Sequence, residues 1–191
     1  MSQFSLFGAA AAEPSLDDLD GVLLAGGLWV RSGPAARLSI VVADRWRATA
    51  LSAEFDLRTV GADDDVVQAA GGYGVRTAFT DRLTPVAARW SRGANQGPPP
   101  GFVLTAAGVR LWALAAGRSD AGGYLLGTAR PDDVIHSSAG AQLSRLGVAA
   151  VSVSARGRPG WRVTSLKRVR RLAELLGAAP DGGADDWPQP V

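Results

Sequence analysis

The sequence predicts an α+β fold in which two similar halves follow each other along the chain. Helical segments alternate with short strands that are rich in β-branched residues. This order recurs on both sides of a stretch rich in glycine and proline, residues 93–101. When 52–87 is aligned without a gap to 138–173, 11 of 36 positions are identical, and the shared glycines fall at predicted turns and helix ends.

The first repeat is predicted to span 15–92, after a flexible arm at 1–14. Its residue patterns predict three helices, one strand and one hairpin. In order, these are a helix from Ser15 to Gly26-Gly27, a strand at 37–42, a helix at 45–57 capped by Asp44, a hairpin of 65–69 and 74–78 around Gly71-Gly72, and a helix at 81–92 capped by Thr80.

Residues 93–101 contain three prolines and are predicted to be a semi-rigid linker to the second repeat, 102–177. The second repeat is predicted to contain a helix at 105–117, a strand at 124–128, a helix from Asp132 to Leu146, strands at 149–154 and 161–164, and a helix from Ser165 to Leu176. Residues 178–191 carry three aspartates and no basic residue, which predicts a disordered acidic tail.

The composition excludes several kinds of chemistry. The chain has no cysteine, so disulfides, thiol nucleophiles and cysteine zinc sites are absent, and its one histidine, His136, is expected to be structural. The longest early apolar run, Val22–Val30, has 9 residues, whereas a transmembrane helix needs about 20. No basic residue precedes Arg31. These features predict a cytoplasmic protein with no membrane segment, no cofactor and no metal site.

The net charge of +2 hides an uneven distribution of charge. Residues 1–95 hold 9 basic and 11 acidic side chains, a net of −2, and 96–191 hold 11 and 7, a net of +4. Eight basic residues and no acid lie between Arg145 and Arg171. A local excess of basic side chains is typical of proteins that bind nucleic acid.

Two α-β-β-α-β-β-α units joined by a linker, with Leu24-Ala25-Gly26-Gly27 and Leu114-Ala115-Ala116-Gly117 at corresponding helix ends, resemble the single-chain LAGLIDADG homing endonucleases. The N-terminal part of WhiA-type bacterial regulators is similar. The resemblance covers roughly 16–177. It implies two motif helices packed at a pseudo-twofold axis within one monomer, and antiparallel sheets that form a saddle over DNA with the helices on the other face.

The sequence departs from this family at the catalytic positions. Nucleases of the family place one acidic residue at the end of each motif helix, and the pair holds a divalent metal. The position expected to be acidic falls near Arg31 in the first copy, and the second copy offers only Asp120. Asp120 has an alternative interpretation as a turn residue before Gly122-Gly123. We therefore expect a degenerate relative that does not cut DNA, and we disfavour a metal-dependent nuclease.

Strand alternation predicts which side chains share a face of each sheet. One face should carry apolar residues toward the helices: Leu38, Ile40, Val42, Val75, Thr77, Phe79, Val151, Val153, Trp161 and Val163. The other face should carry Arg37, Arg76, Arg156 and Arg162, together with Ser39, Val41, Ser152 and Ser154. Arginine and hydroxyl groups suit contacts with phosphate, and an ordinary solvated sheet face is the alternative.

The candidate nucleic-acid-binding residues are Arg37, Arg76, Arg156, Arg158, Arg162, Lys167 and Arg168. Arg158 is expected at a hairpin tip. Lys167 and Arg168 lie on the last helix, where a solvated amphipathic surface is the alternative. The predicted function is non-catalytic nucleic-acid binding, with double-stranded DNA preferred to RNA as the partner. The alternative is a protein-interaction or scaffold module that has no role with nucleic acid.

Overall fold

A computed structural model describes residues 9, 12–58, 61, 66–120, 122–130, 133–154 and 159–189. Most of the predicted arm at 1–14 lies outside the described residues, as do the aspartates 63–65 and two candidate site residues, Arg156 and Arg158. Within the described part of the chain, no helix is long and apolar enough to cross a membrane.

The described residues of the first half form three α-helices and four strands. They are a 3₁₀ helix at Leu16–Leu19, α1 (Asp20–Leu24), β1 (Leu28–Ser32), β2 (Ala35–Val42), α2 (Arg45–Leu57), β3 (Val67–Ala69), β4 (Gly72–Arg76), a 3₁₀ helix at Asp81–Leu83 and α3 (Thr84–Trp90). Two short strands, β5 (Ser91–Arg92) and β6 (Asn95–Gln96), pair with each other before the second half begins.

The second half repeats this order of elements. It contains α4 (Ala106–Ala116), β7 (Gly117–Asp120), β8 (Gly123–Gly127), α5 (Val134–Arg145), β9 (Val151–Val153), β10 (Gly160–Val163), α6 (Leu166–Leu176) and a 3₁₀ helix at Ala184–Asp186. The first strand of each half, β1 or β7, follows directly on a helix and was not located in the element-by-element prediction.

Side-chain caps start several of these helices. The Ser15 hydroxyl accepts a hydrogen bond from the Asp17 amide, and the Asp18 carboxylate accepts one from the Ser15 amide, which forms a capping box. Thr105 accepts from the Gly108 amide and so fixes the start of α4. The cap of α5 is Asp133, which accepts from the His136 amide, one residue after the predicted Asp132.

Both large sheets are antiparallel and have the same strand order, β1-β2-β4-β3 and β7-β8-β10-β9. The predicted α+β class is therefore confirmed. The strand registers also correspond: Ser39 pairs with Arg76 in the first sheet, and Leu125 pairs with Arg162 in the second. Both pairs are related by an offset of 86 residues, the same offset that aligns the two sequence segments.

The two halves meet where α1 packs against α4. A Cβ atom on Gly21 would overlap the backbone carbonyl of Gly108, so the two helices can approach this closely only because residue 21 is glycine. One core joins the helix-facing sides of both sheets, with Leu38 from the first sheet and Val163 from the second. The helix-free faces of the two sheets therefore point away from one shared core.

Gln96, the last residue of β6, attaches the predicted linker, 93–101, to the first half. The Gln96 side chain accepts from the Trp29 amide at 2.7 Å and donates to the Gly27 carbonyl at 3.0 Å. The Gly97 amide also donates to the Trp90 carbonyl at 2.9 Å. The start of this segment is thus held by defined hydrogen bonds rather than by its proline content alone.

The prediction of a disordered tail at 178–191 is wrong for residues 178–189. Trp187 is only 3% exposed, and its Nε1 donates to the Gly177 carbonyl at 2.8 Å. Asp186 forms an ion pair with Arg47 at 2.8 Å. The composition favoured disorder, but burial of one large aromatic ring and a buried guanidinium partner together outweigh the chain entropy of this short segment.

Candidate nucleic-acid interface

The first sheet turns its predicted arginines away from the core. Along β2, Leu38 and Ile40 are buried, and Arg37 and Ser39 point to the helix-free face, as the alternation predicts. Arg76 on β4 lies directly opposite Ser39, so it shares that face. In the described strands of this sheet, no acidic residue lies on the helix-free face.

Phe79 does not lie on the helix side as predicted. Its side chain is 43% exposed, and the Arg37 guanidinium lies 4.5 Å above the centre of its ring. The strand β4 ends at Arg76, so the strict alternation of faces does not extend to residue 79. This cation–π contact fixes the direction of the Arg37 side chain on the helix-free face.

Four large aliphatic side chains of the described strands share this face with the arginines; strand alternation placed Val41 here, and the sequence patterns missed the other three. They are Leu28 (59% exposed), Val30 (37%), Val41 (52%) and Val67 (44%). Leu28 and Val30 belong to β1, whose aromatic and β-branched residues, Trp29 and Val30, were the signal that could have located the strand. The face is therefore a mixture of arginine, serine and aliphatic groups.

The second sheet carries a corresponding row of side chains on its helix-free face. Across β7, β8, β10 and β9 the row reads Arg118, Leu125, Arg162 and Val151. Leu125 is fully buried although it lies on this face. We attribute its burial to the aliphatic stems of the two flanking arginines, since arginine stems commonly cover apolar surface. Arg118 was not among the predicted site residues.

The predicted faces of β9 are reversed in the structure. Ser152 lies opposite Trp161 on the helix side, and its Oγ is 2.9 Å from His136 Nε2. The Trp161 ring stacks on the His136 ring, and the centres of the two rings are 4.9 Å apart. Val151 is 59% exposed on the other face. The reversal occurs because α5 presents a polar, buried histidine beneath this strand, which requires a hydroxyl partner.

Asp120 is a turn residue and the partner of Arg162. Its Oδ1 accepts from the Gly122 amide at 2.8 Å, and its Oδ2 accepts from the Arg162 guanidinium at 2.8 Å. The backbone hydrogen bond from Gly122, followed by the interaction with Arg162, lowers the pKa of the Asp120 carboxyl. Asp120 is the one acidic residue in the described strands of this face.

Lys167 and Arg168 lie away from both sheet faces. They are exposed on the first turn of α6, whose Val169 and Leu172 pack into the shared core on the helix side. The structure thus brings Arg37, Arg76 and Arg162 onto helix-free sheet faces and leaves Lys167 and Arg168 in the helix layer.

The ends of α1 and α4 border a cavity of about 290 Å³ at the junction of the two halves. Ala25, next to the end of α1, lines it, as do Ala115, Ala116 and Gly117 at the end of α4. Neither helix end carries a carboxylate. Arg31 lies within β1 and Asp120 ends β7, so neither residue lies at the end of α1 or α4.

No family model matches the sequence, and no curated protein is similar to it. Among solved structures, the homing endonuclease I-WcaI bound to its DNA recognition sequence matches with a TM-score of 0.60. The match covers 92% of this chain and 83% of that chain at 9% identity. This chain has a LAGLIDADG homing-endonuclease-like fold. I-DmoI in complex with DNA and Mn also matches, with a TM-score of 0.50, 16% identity and coverage of 85% of this chain and 96% of that one.

In this LAGLIDADG-like fold, Arg47, a buried arginine of α2, contacts the C-terminal end of α4. The guanidinium of Arg47 donates all five of its N–H groups. The acceptors are Asp44 Oδ2 at 2.9 Å, the carbonyls of Ala113 at 3.2 Å, Leu114 at 3.1 Å and Gly117 at 2.6 Å, and Asp186 Oδ2 at 2.8 Å. A cation here complements the negative end of the helix dipole.

The fixed positive charge of Arg47 also disfavours a divalent cation at the ends of the LAGLIDADG-like helices. Both neighbouring carboxylates, Asp44 and Asp186, are already paired with it. Among the described residues, no group of three or more histidine, cysteine, aspartate or glutamate side chains is placed to hold a metal ion. The donor set at this position therefore does not fit a two-carboxylate metal site.

Proposed function

We propose that this chain is a double-stranded-DNA-binding protein that does not cleave DNA. The observation that carries the proposal is the presence of arginines on the helix-free faces of both sheets, Arg37 and Arg76 on the first and Arg118 and Arg162 on the second. Two solved structures with a similar fold are complexes with DNA, which supports DNA as the partner.

The proposed contact is mainly electrostatic. Arginine forks onto phosphate oxygens or guanine edges, and each neutralised phosphate releases counterions, so the affinity falls as salt rises. The proposed contact surface keeps Arg37, Arg76 and Arg162 and omits Lys167 and Arg168, which lie in the helix layer. Under this proposal, DNA lies across the saddle formed by the two sheets.

Fluorescence anisotropy with a labelled duplex at several salt concentrations tests this proposal. Changing Arg76 and Arg162 to alanine should weaken binding at least about tenfold and reduce the salt slope by about 2, one for each lost phosphate contact. The matched control changes Lys167 and Arg168 to alanine, which removes the same charge from the helix layer. Equal losses in both double variants would contradict the proposed surface.

The residues at the C-terminal ends of α1 and α4 support the absence of cleavage. They carry alanine and glycine where nucleases of this fold place acids, and Arg47 already pairs the nearby Asp44 and Asp186. Incubating supercoiled plasmid with the protein and Mg²⁺ or Mn²⁺ tests this part. Intact plasmid is the expected result, and nicked or linear product would overturn it.

We also propose a cytoplasmic location for this DNA-binding protein. We propose a monomer, because the two halves supply both sheets of the surface within one chain. Sedimentation with and without duplex DNA tests this stoichiometry.

A second candidate function, a protein-interaction module, is favoured by the exposed side chains of Leu28 and Val41. Failure of the protein to bind duplex DNA at every salt concentration would support this function over DNA binding.

A further inference from the structure

The helix-free face of the first sheet combines positive charge with exposed aliphatic groups. A solvated strand face normally carries polar residues, but here Leu28, Val30, Val41 and Val67 are exposed beside two arginines. Contiguous exposed apolar groups mark a surface that contacts another molecule. The absence of acidic residues from the described strands of this face indicates that this molecule is an anion.

The registers arrange these side chains in three rows across the sheet. The rows are Val30 with Arg37, Leu28 with Ser39 and Arg76, and Val41 with Gly74 and Val67. Neighbouring rows are two residues apart along β2, so their spacing is about 6.8 Å. Base pairs stack at about 3.4 Å. Successive rows therefore match every second base pair along a groove.

The third row has a shape suited to a small apolar group. Val41 and Val67 each lie directly opposite Gly74 on the two neighbouring strands. Because Gly74 has no side chain, the two valines border an apolar notch in the surface. In the major groove, the thymine C5-methyl group is the apolar feature that a protein can contact, and it distinguishes A·T from G·C pairs.

We propose that the helix-free face of the first sheet reads thymine methyl groups in the major groove. Val41 and Val67 contact the methyl groups, and Arg37 and Arg76 hold the flanking phosphates or guanine edges. This inference rests on the proposed binding of duplex DNA and adds a base preference to it. We assign duplex DNA as the ligand because the face offers arginines for the phosphates of a polyanion and apolar side chains for the base edges in the groove of the DNA.

Three labelled duplexes of one mixed sequence test this inference. The first contains thymine, the second has deoxyuridine at every thymine position, and the third adds 5-methylcytosine to the uracil duplex. Deoxyuridine lacks only the methyl group, and 5-methylcytosine restores a methyl at the same ring position. Affinity should fall by about fourfold for each contacted methyl that is lost, and the third duplex should recover part of the loss. The salt slope should not change.

Variants separate valine contacts from general effects on the protein. Changing Val41 and Val67 to serine should abolish the difference in affinity between the thymine and uracil duplexes, because serine offers the methyl group no apolar contact. The matched control changes Leu57 and Val134, two exposed side chains of the helix layer, to serine and should keep the difference. Chemical denaturation verifies that both double variants are folded.

Two outcomes would overturn the inference in distinguishable ways. Equal affinity of the unmodified protein for the thymine and uracil duplexes would refute methyl reading while leaving DNA binding intact. A preference for thymine that persists when Val41 and Val67 are serine would assign the reading to another part of the surface. Failure of all three duplexes to bind at low salt would instead refute the proposed DNA-binding function itself.

Discussion

Replacing Arg47 by methionine should strongly destabilise the protein, although the side-chain volume is nearly kept. The change leaves three carbonyls at the end of α4 without their charged donor, and each such hydrogen bond contributes about 1.5 kcal/mol. Asp44 and Asp186 are 48% and 36% exposed, so water replaces their partner at little cost. Because the adjoining cavity admits water to part of this site, we expect a loss of about 3 kcal/mol.

Urea denaturation followed by tryptophan fluorescence measures this loss, and thermal melting should show a fall in Tm of about 9 °C for a chain of this size. Arg45→Met is the matched control, since Arg45 is exposed on the same helix and should change stability by less than about 0.5 kcal/mol. Arg47→Lys keeps the charge but not the five-donor fork and should fall between them. If Arg47→Met is as stable as Arg45→Met, the structural role assigned to this guanidinium is refuted.

Three further changes test the packing. Burial raises the pKa of the Asp20 carboxyl from 3.8 to about 6, so the protonated carboxyl stabilises the fold fully below pH 4, and this stabilisation is lost as the pH rises through 6. The Asp20→Asn variant should therefore lack about 3 kcal/mol of the pH dependence of stability that the unmodified protein shows between pH 4 and 6. An unchanged stability–pH profile would contradict this. Gly21→Ala should cost about 3 kcal/mol by forcing α1 from Gly108, and a melt that matches wild type would exclude it. Deleting 178–191 should cost at least about 3 kcal/mol, because Trp187 is lost from the core; unchanged denaturation would show that the tail packs without stabilising.

The order of elements was predictable because glycines and helix caps divide this sequence clearly. Thr80 and Thr105 both cap helices with their side chains, and Gly71-Gly72 marks the β3–β4 turn. The strands β1 and β7 were missed because each begins within a few residues of a helix end, where alternation has little length to show itself. The ordered tail was missed because the burial of Trp187 depends on partners that are distant in sequence.

The site was predictable only where a strand has one polar and one apolar face. This holds for β2, where Arg37 and Leu38 fall on the expected sides. It failed for β9, because the partner of Ser152 is a histidine on a helix rather than water. Arg47 could not have been found by such rules, since its role depends on carbonyls of another helix some 66 to 70 residues away.

Under our proposal that the protein does not cleave DNA, Arg47 takes the place of a metal at the centre of this fold. A helix that ends inside a protein leaves carbonyls and a partial negative charge that need a cation or hydrogen-bond donors. Here one guanidinium supplies both to α4, and it does so without any exchangeable ligand. The centre can therefore be purely structural. Under our proposal, any recognition then falls to the sheet faces, where arginines and valines meet solvent, and selection on those faces is free of any demand from catalysis.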